Sequence, residues 1–429
     1  MMVNETVKEL MTFLDSAPSV YHAVEQLRRM FEDAGYTRLD EGGRWDLQVG
    51  GKYYLTRGGS AIVGFRIPCA APQGFLMTAS HSDRPTFKIK ENGELDGNYV
   101  RIATEKYGGM LMAPWFDRPL SVAGRVMVET EAGVQTKLVN IDRDLMMIPN
   151  VAIHMNRKAN DGYAYNPTSD TIPVLGGKDA KGRLMALLEE QAGGEILAHD
   201  LFLYNRDRAK VWGAQEEFFS AQAIDDLECA WSTVKGFLTA GESRSIPVVC
   251  VFDSEEVGSS SVQGAASTLL ADTIARICRV RDLEPERMLS QSFLISADNA
   301  HGIHPNHPEL ADAANAPVVN GGVVLKFNAN LRYTTDGVSA AVFRRVCRLA
   351  DVPVQTYYNR ADIPGGSTLG NISLGQVSVP TADIGLAQLA MHSCYETAGV
   401  QDVEHLLKAM QVYYGSTLTV TGDGTYLLN

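Results

Sequence analysis

The chain has 429 residues, more than one compact core usually holds, so two domains are expected, and 45% hydrophobic content is ample for both. A net charge of −13 argues against nucleic acid and against an anionic membrane surface as partners. Six scattered cysteines without a C-x-x-C pair argue against a cysteine zinc site and thioredoxin-type chemistry, and predict reduced core thiols. Met1 to Leu14 carries Glu5 and Glu9 among its apolar residues and lacks a signal-peptide core, and no apolar run reaches membrane-spanning length. The expected setting is soluble, reducing and cytoplasmic.

Val20, Val24, Leu27 and Phe31 recur at spacings of four, three and four, which predicts an amphipathic helix with Ser19 as N-cap and Gly35 as stop. The runs Ala61 to Ile67 and Phe75 to Ala79 read as strands, the second leading into Ser80-His81-Ser82-Asp83. From about Lys88 to Tyr204 the chain turns to Gly, polar residues and short β-like runs such as Gly124 to Glu129. From about Ala221 helices and apolar strands alternate: Asp225 to Leu238, Ile246 to Phe252, Val262 to Val280, Ser292 to Ala297, Gly322 to Ala329 and Gly337 to Ala350. That alternation implies an α/β sheet with helices on both faces, split here by an inserted, mainly β domain.

Asp253-Ser254-Glu255-Glu256-Val257-Gly258-Ser259 follows the strand-like run Ile246 to Phe252. Three carboxylates crowd one strand end, where each charge makes its neighbours harder to ionise, and a divalent metal is the usual compensation. Other element ends carry similar chemistry. His81 and Asp83 close one strand, Asp298 closes another, His392 follows Thr381 to Ala390, and Asp225 and Asp226 open a helix. In open α/β sheets, ligands bind outside the carboxyl ends of the strands. The pattern fits a two-metal hydrolase. Two zinc ions about 3.5–4 Å apart share a carboxylate and a water, each takes about two further N or O ligands, and a spare carboxylate accepts the water proton. Asp83 shares a strand face with His81 and is placed to accept its second ring N–H.

Each element alone also has a plain structural reading. His81 or His392 reads as a hydrogen-bonded structural histidine, Asp225-Asp226 as an N-cap with first-turn charge, Asp298 as a turn cap, and His301 and His304 as solvated loop residues. The joint pattern at successive strand ends favours the metal reading.

Seven motifs carry a family resemblance: His81-Ser-Asp83, Trp115-Phe-Asp-Arg118, Ile148-Pro-Asn-Val-Ala-Ile-His154, Asp253 to Ser259, Ser296 to His301 with His304-Pro-Asn306, Gly366-Ser-Thr-Leu-Gly370, and Met391-His-Ser393. In order, and over essentially the whole chain, they resemble the aspartyl aminopeptidase family of dinuclear zinc aminopeptidases. The resemblance implies a three-layer α/β/α peptidase core over residues 1–86 and 212–429, interrupted by a dimerisation and substrate-gating domain over 87–211. It implies that His81 and Asp298 hold one zinc, that Glu256 and His392 hold the other, that Asp225 bridges, and that Glu255 is the general base. His154 would contact substrate, in its own or a neighbouring subunit, and His301, Lys326 and Tyr333 match substrate contacts. Two departures stand out. The bridging Asp usually follows Arg-Leu and precedes Asn, whereas this chain has Ala223-Ile224-Asp225-Asp226, and Gly365 stands where the family often has cysteine.

The implied activity is removal of single N-terminal residues from peptides, with Asp or Glu preferred if Lys326 pairs with the acidic side chain. Read alone, Lys326 is a strand-edge surface lysine. Rival readings keep the metals and change the substrate to neutral or basic N-termini or N-acyl amino acids, or make the chain a non-catalytic, metal-stabilised assembly protein. Cobalt or manganese also suits such ligands. Dimers assembled into a dodecamer are the implied state.

Overall fold

Ile246–Phe252 is apolar at every position because both faces of its sheet are covered. Val249 and Val251 pack into one core with Leu227, Val234, Leu406 and Tyr413, whereas Val248 and Cys250 pack into a second with Leu269, Ile274 and Met288. The side-chain period of two sends alternate residues to opposite helical layers. The computed structural model describes residues 5–363, 365–366 and 368–429. Residues 1–4, at the start of the N-terminal stretch, and Ser367, inside the 366–370 motif, lie outside the described residues.

The nine-stranded sheet runs in the order Thr37–Arg38, Lys52–Arg57, Ala61–Arg66, Ile246–Phe252, Phe75–His81, Phe293–Ala297, Thr381–Gly385, Val323–Phe327, Val354–Tyr358. Ile246–Phe252, Phe75–His81, Phe293–Ala297 and Thr381–Gly385 are mutually parallel, so their carboxyl ends share one edge. A separate antiparallel sheet of six strands, all drawn from 86–205, carries the helix Arg183–Ala192 on its own core. A five-stranded sheet joins Lys210–Trp212, Phe218–Ala221, Glu396–Gly399, Ala387–Leu389 and Ala300–His301 beside the main sheet's ligand edge. The α/β core plus β region is the expected fold class.

Several elements depart from expectation in detail. Thr381 to Ala390 is two strands, Thr381–Gly385 in the main sheet and Ala387–Leu389 in the five-stranded one. At the join, a Cβ on Gly385 would lie 2.0 Å from the Asp298 carbonyl oxygen, so only glycine lets the two backbones approach. The helix expected from Val262 begins at Leu269. Hydroxyl and turn bonds hold the preceding residues instead, with Gln263 N donating to Ser261 Oγ and Ala266 N to Ser259 O. Val20–Asp33 is the predicted helix, followed by Gly35 at φ +76°, but the Ser19 hydroxyl bonds the His22 ring at 2.8 Å rather than capping a backbone N–H. The cysteines are free thiols, five of them buried. Phe237, fully buried against Phe31, Tyr36 and Tyr414, anchors one core. Phe237→Ala is expected to cost about 3–5 kcal/mol in urea unfolding.

Candidate metal centre

The parallel strands bring their carboxyl ends together, and the side chains that follow them converge. His81 is the last residue of its strand, Glu255 and Glu256 form a single 3-10 turn just after Phe252, and Asp298 follows Ala297. His392 arrives from the five-stranded sheet, three residues past Leu389. Asp225 and Asp226 lie in the helix Ile224–Thr239, yet their backbone is non-helical and the peptide between them is cis. They are therefore not an N-cap: the cap position is Ala223, and no side chain caps the helix. Their carboxylates turn toward the histidines instead.

Asp225 Oδ1 lies 3.6 Å from His81 Nε2, and Asp225 Oδ2 lies 3.4 Å from His392 Nε2. His392 Nε2 is also 3.5 Å from Glu256 Oε2. Two compact donor sets result, His81–Asp225–Asp226–Asp298 and Asp225–Glu256–His392, and Asp225 alone belongs to both. Glu255 meets only His81 and Glu256 in a third set. All these groups are buried or half-buried, and His392, 34% exposed at its side chain, marks the open side.

The electrostatics are those of a site short of positive charge. Burial raises the carboxyls of Glu256, Asp226 and Asp298, with neighbouring carboxylates adding to the effect. Burial likewise pushes Glu255 up to about 8, against the lowering influence of His81. Asp225 is the exception: burial opposes its ionisation, but His392 and His81 hold it well below the usual carboxylate range. Three buried carboxylate oxygens, Asp225 Oδ1, Asp226 Oδ1 and Glu256 Oε1, have no hydrogen-bond partner among the described residues. Inward-facing carboxylate and imidazole donors, with three oxygens left without a hydrogen bond and the carboxyls crowded together, fit divalent zinc.

A ring of further carboxylates holds the donors by their backbones. Asp83 Oδ1 and Oδ2 accept from Glu255 N and Glu256 N at 3.1 and 3.2 Å, and His81 Nδ1 lies 3.4 Å from Asp83 Oδ1 and 3.2 Å from its carbonyl oxygen. Asp226 Oδ2 accepts from His81 N at 3.0 Å. Glu396 accepts from both Asp225 N and His392 N, at 3.0 and 2.7 Å. Glu396 and the backbone role of Asp226 escape sequence reading. The only signal is the position of Glu396 four residues beyond His392.

Lys326 is not a surface lysine. It is 2% exposed, and Nζ donates to the Asp298 and Asn299 carbonyls at 2.7 and 3.3 Å. Its ammonium lies 5.2 Å from the centre of the Tyr333 ring, and Tyr333 and His301 both contact the Tyr357 ring, so these three residues gather beside Asp298. His154 stands apart on an exposed turn with Val151, Ile153 and Met155 and has no polar partner among the described residues. The root of that turn is tied down, because Asp117 accepts from Asn150 N and Nδ2 at 2.9 and 2.8 Å. Two of the sequence motifs, 115–118 and 148–154, thus form one structural unit.

The family model described as Aminopeptidase I zinc metalloprotease (M18) matches residues 13–414. The chain is 39% identical over 426 residues to the probable M18 family aminopeptidase 2 of Clostridium acetobutylicum, covering 96% of this chain and 98% of that one. It is 39% identical over 422 residues to the protein of the same description from Pseudomonas paraeruginosa, covering 95% and 97%. Among solved structures, the cryo-EM structure of the Ape4 and Nbr1 complex matches with a TM-score of 0.92 and 33% identity, over 96% of this chain and 85% of that one. The S. cerevisiae mApe1 dodecamer matches at 0.82 and 26%, over 95% of each chain. Family sequence and fold thus coincide over nearly the whole chain, and the inward-facing donors suit the metal the family is named for. The chain belongs to the M18 family of zinc metalloproteases and is an aminopeptidase, a hydrolase.

Proposed function

We propose that the chain binds two zinc ions and removes single N-terminal residues from peptides. His81 and Asp298 hold one ion, Glu256 and His392 the other, and Asp225 is shared between them. The observation that carries this reading is that the two oxygens of Asp225 face one histidine each, with Glu255 outside both Asp225 sets. Bound zinc supplies polarisation of the scissile carbonyl and acidification of the attacking water. Glu255, with a carboxyl already pushed up to about 8 by burial, takes the water proton and delivers it to the leaving amine. Asp83 orients Glu255 and Glu256 through their backbone N–H groups and His81 through its ring. His154, without a polar partner among the described residues on its exposed turn, stabilises the developing oxyanion in a neighbouring subunit. The 87–211 insertion acts as a dimerisation and gating domain, and dimers build a dodecamer, a reading supported by the dodecameric S. cerevisiae mApe1 of the same fold. Among the described residues no helix is long and apolar enough to cross a membrane, and a cytoplasmic setting is part of the proposal.

Lys326 carries the proposed preference for N-terminal Asp or Glu, with His301 and Tyr333 lining the same corner. Burial opposes the Lys326 charge, but the Asp298 carboxylate keeps its pKa above the ordinary lysine value, so the cation persists. A second reading rests on one observation: Nζ already donates to two carbonyls, which favours neutral or basic N-termini. Rates on Asp-, Glu-, Leu- and Lys-anilides decide. The acidic substrates are expected to exceed Leu by at least about 10-fold in kcat/KM, roughly one charge-assisted hydrogen bond. Equal or better turnover of the Leu substrate sinks the acidic preference.

A further inference from the structure

The inserted sheet reaches into the metal centre through one short segment. Strand Tyr99–Tyr107 belongs to the six-stranded sheet, and the five residues from Tyr107 to Leu111 run directly beneath Glu256 and His392. Tyr107 Oη donates to Asp83 Oδ2 at 2.7 Å, the same oxygen that accepts from Glu256 N. Gly108 sits at φ +76°, and a Cβ there would lie 3.1 Å from Glu256 Cβ and 3.3 Å from its carbonyl oxygen. A Cβ on Gly109 would lie 3.9 Å from His392 Nδ1. Leu111 N donates to the His392 carbonyl at 3.1 Å. Tyr107, Gly108, Gly109 and Leu111 therefore each approach Glu256, His392, or the carboxylate that orients Glu256, while Met110 packs on the inserted sheet's own core.

We infer that residues 107–111 are a positioning strap by which the inserted sheet sets the second zinc site, with Tyr107 and Gly108 as its positioning residues. The inference rests on the ligand assignment proposed above. Gly108 is favoured because its φ is left-handed and a Cβ there would press on Glu256 at 3.1 Å. The hydroxyl is required because Asp83 serves three groups at once, and Tyr107 occupies the remaining acceptor position of Oδ2. The chemistry itself uses no atom of the strap. Its effect is on the placement of Glu256 and His392, hence on metal affinity and kcat rather than on KM.

Tyr107→Phe keeps the edge-to-face packing on Phe202 and removes only the hydroxyl, Gly108→Ala presses on Glu256, and Tyr99→Phe, 62% exposed on the same strand, is the control. Zinc affinity is read by chelator competition, and the site geometry by the visible spectrum of the cobalt-substituted protein. Tyr107→Phe is expected to weaken one of two zinc equivalents about 10-fold and to lower kcat by a similar factor at unchanged KM. Gly108→Ala is expected to weaken the same equivalent by up to about 100-fold. Both should shift the cobalt spectrum, and Tyr99→Phe should do none of this. A merely structural strap lowers the melting temperature of the metal-free protein and leaves affinity and spectrum alone. That result in both variants overturns the inference. His392→Ala separates the two failures: if it loses one zinc equivalent while both strap variants bind as wild type, only the strap fails. If it keeps both equivalents, the ligand assignment fails.

Discussion

Glu255→Gln is expected to yield a folded, zinc-loaded protein that turns over substrate about 10³-fold more slowly. The magnitude follows from general acid–base catalysis, worth about 10²–10⁴-fold where the group has no substitute. The amide keeps the size of the side chain and cannot accept a proton from water. The backbone N–H of residue 255 bonds Asp83 whatever side chain it carries, so the turn that also places Glu256 stays intact. Glu255 suits the task because burial, reinforced by Asp298, Asp83 and Asp225, keeps its carboxyl near 8 against the pull of His81. Bound cations draw that value down toward neutrality, where a base both holds and releases a proton efficiently. The check is kcat alongside zinc content and melting temperature. A wild-type rate in a protein with full zinc content refutes the assignment, whereas loss of zinc would show Glu255 to be a ligand.

The site was legible in sequence to the extent that its donors are chemically conspicuous. His81, Asp298 and the Glu255-Glu256 pair sit at the ends of apolar runs, and apolar runs are what a doubly covered parallel sheet leaves in a sequence. Long-range geometry left no such trace. Glu396 is as polar as any surface glutamate, and only its burial beneath Asp225 and His392 distinguishes it. Tyr107-Gly108-Gly109 carries no metal-ligand side chain, and it meets the site only because the inserted sheet lies against residues about 150 to 280 positions further along. Asp225-Asp226 looked like a helix start by composition, but tertiary demand for carboxylates at His81 and His392 overrides the local capping preference. Val262 to Thr268 is not helical for the opposite reason: Ser261 and Ser267 hydroxyls and the Ser259 and Ser261 carbonyls accept from its backbone and the next N–H and compete with the helix. Lys326 was ambiguous because a lysine at a strand end gives no sign of whether it faces solvent or a buried carboxylate.

Metal removal should abolish activity and also make stability fall as pH rises. In the metal-free protein burial raises Glu255 and Glu396 to about 8 and Asp253 to about 6, and raises Glu256, Asp226 and Asp298 as well. In the unfolded chain the same groups titrate near 4. Between those values the native state binds more protons than the unfolded one, so stability is complete below about pH 4 and declines as pH rises through the folded values. His81 and His392 act in the same direction: burial opposes their charge, but surrounding carboxylates raise their values, so their contribution is also lost on the alkaline side. Asp225, held low by the two imidazoles, works oppositely but only in strong acid, outside the window. Each proton bound in excess by the native state contributes about 1.4 kcal/mol per pH unit. With two or more such protons, the metal-free melting temperature should fall by several degrees per unit between pH 5 and 8. Zinc takes the place of those protons, so the loaded protein should hold its melting temperature across the same range and bind zinc more tightly as pH rises, releasing protons as it does. Calorimetric melting with and without chelator at several pH values reads the first effect, and zinc titration in buffers of different ionisation enthalpy reads the second. A metal-free protein whose melting temperature rises with pH over this range would mean that the carboxylates are compensated by something other than protons, and the two-zinc reading of the centre would lose its electrostatic basis.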